Sequence, residues 1–191
     1  YLKVRNLRNE YPGVPIIALT ATATKKVEAD IQDILNIPNP KIFKRSFLRE
    51  NLKITIKDRK KDTIKEIANL LENKYKNQSA IIYANSRKDC EKQTIKLKEL
   101  GINADFFHAG LSSKKRNQVQ TDWLENKVQV IVATIAFGMG IDKPDVRVVF
   151  HYNLPKSLEG YYQEIGRAGR DSKLSDCILY YSYQDKIAYE K

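Results

Sequence analysis

Cysteine is scarce: Cys90 and Cys177 are the two in 191 residues, and they form no C-x-x-C pair. That excludes a disulfide framework and a cysteine-built zinc site, and it fits a reducing compartment. Glycine (8) and proline (6) are too few for a collagenous or low-complexity chain, and 42% hydrophobic with 30% charged residues is an ordinary globular composition. No apolar run approaches the ~18 residues of a membrane span. The opening Tyr1-Leu-Lys-Val-Arg-Asn-Leu-Arg8 lacks the unbroken apolar core of a secretory signal, so the expectation is a chain neither exported nor embedded in a membrane. His108 and His151 stand without a neighbouring ligand pattern, and no metal is assigned to either. No G-x-S-x-G elbow is present, which leaves hydrolysis by a covalent nucleophile unsupported. Also missing are a G-x-x-x-x-G-K-S/T segment and any Asp-Glu dipeptide, hence the phosphate cradle and the acidic pair that binds Mg²⁺. Positioning and charge neutralisation supply nearly all phosphoryl-transfer catalysis, so this chain is not expected to hydrolyse a nucleoside triphosphate by itself.

What is present begins with charge. Thirty-four basic residues against 23 acidic ones give +11, which favours a polyanionic partner such as nucleic acid, nucleotide or acidic lipid. Lysine supplies 24 of the 34, and asparagine appears 13 times, a bias that A/T-rich coding produces unaided. The sign therefore says more than the magnitude. Residues 41–76 hold twelve Lys/Arg and five Asp/Glu, and a solvated basic face or a nucleic-acid track fits that surplus equally.

Apolar runs alternate with segments of helical period, the pattern of a parallel sheet with crossover helices. Val14–Leu19 reads as a strand, followed by a helix from Thr24 that Asn36 and Pro38 end. Ile42–Phe47 and Leu52–Ile56 read as extended pieces, and Thr63-x-x-Glu66 as a capping box opening a helix. Strands are then predicted at Ala80–Tyr83, Asn103–Phe107, Val128–Val132, Val146–Tyr152 and Cys177–Tyr181, with helices at Ser86–Leu100, Ser112–Leu124 and Ser157–Ile165. Right-handed crossovers make this an α/β open parallel sheet with helices on both faces, its chemistry expected on loops at the carboxyl ends of the strands.

Five segments are assigned to that edge: Thr20–Thr24, Asn85–Arg87, His108–Leu111, Thr134–Asp142 and Gln163–Asp171. Hydroxyl residues and glycines there, with helices capped by Ser86 and Ser112, suit phosphate groups. Each alone has a bland reading as a cap or turn. Most specific is Gln163-Glu-Ile-Gly-Arg-Ala-Gly-Arg170, where two arginines three apart can aim planar guanidiniums at one anion, or else pair with Glu164 or Asp171 and pin the loop. The Gly-x-Gly of Thr134–Asp142 lacks the third glycine of a dinucleotide fingerprint.

Ala18-Leu-Thr-Ala-Thr-Ala-Thr24, Tyr83-x-x-Ser-Arg87, Phe107-His-Ala-Gly-Leu111, the run from Ala133 through Gly-Met-Gly-Ile-Asp-Lys-Pro-Asp-Val to Arg147, and Gly160-Tyr-Tyr-Gln-Glu-Ile-Gly-Arg-Ala-Gly-Arg-Asp171 resemble motifs III to VI of RecQ-type DNA helicases, nearest the Bloom-syndrome-like branch. The resemblance covers essentially the whole chain. It implies a superfamily-two motor with two RecA-like lobes, residues 1–45 ending the first (ATP-binding) lobe and 46–191 forming the second. Motifs 0 to II, and the zinc and winged-helix domains that often follow, would lie outside this chain. By the same resemblance Arg170 is the arginine finger, with Arg167 beside it and Gln163 on the nucleotide or its water. Asp142 and Gly140 fall near the nucleotide, Asp142 on the ribose or bracing the arginine loop, while Thr20 and Thr22 couple phosphate state to DNA position. Ser86, Arg87, His108, Gly110 and Thr134 are implied to hold the backbone of a single strand, insensitive to base sequence. The implied cofactor is ATP with Mg²⁺, bound mainly by the first lobe; the implied partners are single-stranded and branched DNA and that lobe; the implied location is the nucleus. One departure is Ser172, where the family carries glycine. A rival reading is a non-catalytic module that only binds nucleic acid or docks on another motor, consistent with the missing cradle.

Overall fold

Four of the helices start on a side-chain acceptor, Thr24, Ser86, Ser112 or Ser157. The computed structural model describes residues 4–20, 24–44, 48–138 and 141–190, and the chain divides into two units, 1–48 and 49–191. In the first, α1 (Arg5–Glu10) and α2 (Lys25–Ile34) are the helices. Thr24 caps α2, its Oγ1 accepting from the amide of Val27 at 3.3 Å, and Asn36 follows the helix with φ of 48°. Val14–Leu19 is not a strand: Ile17 and Leu19 are 82% and 91% exposed. An apolar run becomes a strand only when a ladder partner takes its backbone groups, and no other strand occurs among the described residues of this unit. For the same reason Ile42–Lys44 is not extended into a sheet, and 45–47 lie outside the described residues.

The second unit is a six-stranded sheet of β1 (Leu52–Asp58), β2 (Ser79–Tyr83), β3 (Ala104–Phe107), β4 (Val130–Ala133), β5 (Val146–His151) and β6 (Ser175–Tyr181). Every pairing is parallel, in the order β1-β6-β5-β2-β4-β3. Helices α3 (Thr63–Asn73), α4 (Arg87–Glu99), α5 (Ser113–Leu124), α6 (Leu158–Ile165) and α7 (Tyr183–Glu190) complete it; α7 has no counterpart in the sequence reading. Chain steps toward the β3 edge carry α3 and α4 on one face, and steps back toward β1 carry α5 and α6 on the other, as right-handed crossovers require. Accordingly Ile64, Ile67 and Leu71 of α3 and Leu97 of α4 share a core with Ala80, Ile82, Val130 and Val132. Val119 and Trp123 of α5 and Ile165 of α6 share the opposite one with Ile81, Tyr83 and Ile131. Central strands buried on both faces read as unbroken apolar runs, and β2 and β4 are buried at every position. The β2–β5 register shifts between Ser79 and Ala80, leaving Arg147 unmatched, so Val146 and Val148 enter opposite cores.

Thr63 corrects the sequence reading at α3. The cap position belongs to Asp62, which makes no side-chain cap bond. The Thr63 hydroxyl instead accepts from the amide of Lys60 at 2.8 Å, and Glu66 turns outward to Lys57 and Tyr180. A neighbouring lysine and phenol outbid the backbone amide that a capping box would offer.

The connection from β4 to β5 decides where the chemistry lies. These parallel strands flank β2, so the connection of 134–145 leads from the carboxyl end of the sheet back to its amino end, with no helix among its described residues. The segment is held down by Phe137 and Ile141, both in the α5/α6 core, and the Tyr83 hydroxyl donates to the Phe137 carbonyl at 3.0 Å.

Candidate functional site

Two groups of side chains emerge where the sequence reading assigned one edge. At the carboxyl edge, Tyr83, Ala133 and Phe107 stand in register across β2, β4 and β3, so the residues that follow leave the sheet side by side. Ser86 caps α4, its Oγ accepting from the Asp89 amide at 3.0 Å and donating to the Asp89 carboxylate at 2.8 Å. Arg87 lies against the β3 loop: a Cβ on Gly110 would meet Arg87 Nη1 at 3.1 Å and His108 Nδ1 at 3.2 Å, close enough that both groups would have to shift by a few tenths of an ångström. His108 is buried, stacked on Phe106 at 5.4 Å, with Nε2 3.0 Å from Glu91 and Nδ1 unpartnered. Thr134 donates its amide to Phe107 at 3.3 Å, and its hydroxyl accepts from Ala136 at 3.4 Å. Thus Ser86, Arg87, His108, Gly110 and Thr134 share one rim. A cavity of about 60 Å³ opens beside it, lined by Asn85, Thr134, His151 and Glu164 among others. His151 is fully buried, 2.7 Å from Glu164 and packed between the rings of Tyr83 and Tyr161.

The arginines are elsewhere. Gln163 lies within α6, exposed, and the segment after it leads into the amino end of β6 rather than out of a strand's carboxyl end. The amide of Gly169 donates to Val146, the first residue of β5, and that of Asp171 to Pro144. A crossover helix begins at the carboxyl edge and ends at the amino edge, so a motif spanning its last turn must finish there. Arg167 is half-buried, with Nη1 donating to the Gly138 carbonyl at 2.6 Å. Arg170 is more open, with Nη1 on the Ile141 carbonyl at 3.0 Å and the Asp142 carboxylate at 2.9 Å. Neither pairs with Glu164 or Asp171; those carboxylates belong to His151 and Arg147. The guanidinium of Arg147 holds the Asp171 carboxyl below its ordinary range. Asp142 is 83% exposed, and such a surface pair contributes only ~0–1 kcal/mol, so an incoming anion can displace it. The turn beyond keeps its shape despite the serine, because Ser172 adopts φ of 65° and donates to Gly169.

Thr20 is exposed in the first unit, and Thr22 and Gly140 lie outside the described residues. Among the described residues no three His, Cys, Asp or Glu side chains gather to hold a metal ion, and no helix is long and apolar enough to cross a membrane.

Residues 60–172, more than half of the chain, match the helicase conserved C-terminal domain family. The chain belongs to that family. This helicase C-terminal domain is 50% identical over 189 residues to the RecQ-like DNA helicase blm-1 of Caenorhabditis elegans, and 46% identical over 185 residues to the ATP-dependent helicase SGS1 of Saccharomyces cerevisiae. These stretches cover 98% and 97% of this chain but 19% and 13% of the relatives. The resemblance to RecQ-type helicases holds over almost the full length. A Saccharomyces cerevisiae Dbp5 structure, bound to RNA and ADP BeF3, superposes with a TM-score of 0.73 at 21% identity, covering 90% of this chain and 46% of that one. The open parallel sheet is thus the fold of a helicase RecA-like lobe.

Sequence reasoning did not single out Arg49 and Asn51, which bond to the arginine segment, or the contact between His151 and Glu164 beside the cavity. Arg49 and Asn51 reach residues some 120 positions away, and no local pattern encodes that.

Proposed function

We propose that this chain is the second motor lobe of an ATP-dependent, 3′→5′ RecQ-type DNA helicase, residues 1–45 being the end of the first lobe. The single observation that carries this reading is the state of Arg170: held at the end of α6, yet satisfied only by carbonyls and an exposed carboxylate. A guanidinium so placed is free to engage a phosphate presented by a companion lobe. ATP supplies the phosphoryl group and its bound Mg²⁺; the metal is not assigned to this chain, whose described carboxylates do not gather for it. Arg170 neutralises charge on the transferring phosphoryl group, Arg167 stands beside it on the Gly138 carbonyl, and exposed Gln163 orients nucleotide or water. Asp142, on Arg170 in this structure, braces the finger until nucleotide arrives; Gly140, Thr20 and Thr22 complete the nucleotide side.

Ser86, Arg87, His108, Gly110 and Thr134 bind the phosphates of a single strand at the carboxyl edge, on linear or branched DNA in the nucleus. Residues 134–145 join the two groups along the chain, Thr134 at one end and Asp142 near the other, with Phe137 between them buried in the core. This supports a coupling of strand position to closure over nucleotide. In the two-lobe motor, Arg170→Ala is expected to lower ATP turnover on the order of 10³–10⁵-fold with nucleotide affinity far less changed; undiminished turnover would remove Arg170 from this role. The 191-residue chain alone is expected to show negligible ATPase.

A further inference from the structure

Arg170 needs a backbone that holds it as rigidly as the chemistry demands, and two side chains at the start of the second unit reach across to supply it. Arg49 is the first residue of that unit. Its Nη2 donates to the carbonyls of Ala168 at 3.1 Å and Gly169 at 2.7 Å, and its Nε donates to the Asn51 side-chain oxygen at 3.2 Å. The Asn51 amide in turn donates to Gly169 at 2.8 Å and to Lys173 at 2.9 Å. The Gly169 carbonyl thus accepts from Arg49 at 2.7 Å and Asn51 at 2.8 Å, its two nearer donors, and from the Ser172 amide at 3.0 Å. That carbonyl lies in the same rigid peptide plane as the nitrogen of Arg170, so fixing it fixes the direction in which the arginine leaves the chain.

Packing is equally specific. Gly169 has φ of +53°, and a Cβ there would lie 2.5 Å from the Asn51 amide nitrogen and 2.7 Å from the Lys173 carbonyl. The glycine thus serves the approach of Asn51 as well as the turn. Both side chains are half-buried, and Arg49 forms no ion pair among the described residues: its donors address main-chain carbonyls of the arginine segment.

We propose that Arg49 and Asn51 are positioning residues for Arg170, setting its approach to phosphate through the peptide planes that carry the Ala168 and Gly169 carbonyls. The inference rests on the reading of Arg170 given above. Arg49 and Asn51 touch neither nucleotide nor nucleic acid in this scheme.

The test is a double-mutant cycle in the two-lobe motor. Asn51→Asp keeps size and the Arg49 contact but removes both donations; Arg49→Lys keeps charge but loses the planar fork. Each single substitution is expected to lower kcat for ATP on the order of 10–10²-fold, the loss that a misplacement of about an ångström produces, with KM changed less than kcat. Single-strand affinity at the carboxyl edge should be retained, which a misfolded lobe would not manage. On an Arg170→Ala background either substitution should add nothing further. Should Asn51→Asp fail to fold, Arg49→Lys decides alone. An unchanged kcat, or a loss that multiplies fully with that of Arg170→Ala, overturns the positioning role. Undiminished turnover in Arg170→Ala by itself overturns the underlying reading instead.

Discussion

Two glycines in the arginine site illustrate opposite demands on a missing side chain. At Gly169 the backbone is left-handed, with φ of +53°, and the space is filled by Asn51, Lys173 and Ser175 atoms. At Gly138 a Cβ would meet chiefly the guanidinium of Arg167, at 2.6 Å, the far end of a flexible side chain. Gly169→Ala is therefore expected to lower the unfolding free energy by about 1–3 kcal/mol or more. Gly138→Ala should cost much less, displacing Arg167 from its carbonyl. Urea denaturation of the two variants measures the difference, and equal losses would contradict it. Serine at position 172 shows that a left-handed turn residue need not be glycine when hydrogen bonds on either side hold the segment.

Among elements, α6 is the shortest of the crossover helices and leads directly into the arginine segment. Its start rests on Ser157, whose Oγ accepts from the Gly160 amide at 3.0 Å. Its packing rests on Glu164 and Ile165, both buried. Removing a serine cap costs about 0.5–2 kcal/mol, so Ser157→Ala should lower stability by about 1 kcal/mol in urea denaturation. Asp62→Ala should change it little, because Asp62 occupies the cap position of α3 without capping. A larger effect at Asp62 than at Ser157 would contradict this assignment. The β4–β5 connection makes the complementary point: Phe137 and Ile141 plug it into the core, and the Tyr83 hydroxyl, Arg167 and Arg170 bond its carbonyls.

Across the whole molecule, burial of phenols and thiols links folding to alkaline pH. Burial pushes Cys90 and Cys177 from 9.0 up to about 12. Tyr75 and Tyr161 rise from 10.0 to about 12, and Tyr83 and Tyr180 also move up, in every case chiefly through burial. Between these limits the folded chain binds more protons than the unfolded one, so stability falls as pH rises. Below about pH 9 the contribution is fully present. The urea midpoint should thus drop between about pH 9 and about pH 12 while holding level just below it, and the two thiols should resist alkylation until the chain unfolds. A midpoint that rose over that window would contradict the assignment.

Strand and helix identities in the second unit were legible because central parallel strands are continuous apolar runs and their helices begin at Ser86, Ser112 and Ser157; all three cap, the first two as expected. The arginine pair and the hydroxyl-rich rim were also visible as local composition. Illegible were the outcomes that depend on a partner far along the chain. Val14–Leu19 has strand composition but no ladder to join among the described residues of its unit. Thr63 has cap chemistry but a different amide within reach. The arginines look like a strand-exit loop in one dimension, yet a crossover helix carries them to the opposite end of the sheet. Periodicity and caps are properties of ten or fifteen neighbouring residues, and sequence alone determined them. Which end of the sheet a motif reaches, and which distant side chains such as Arg49 and Asn51 close on it, was decided by strand order and packing, since those contacts exist only once the layers have assembled.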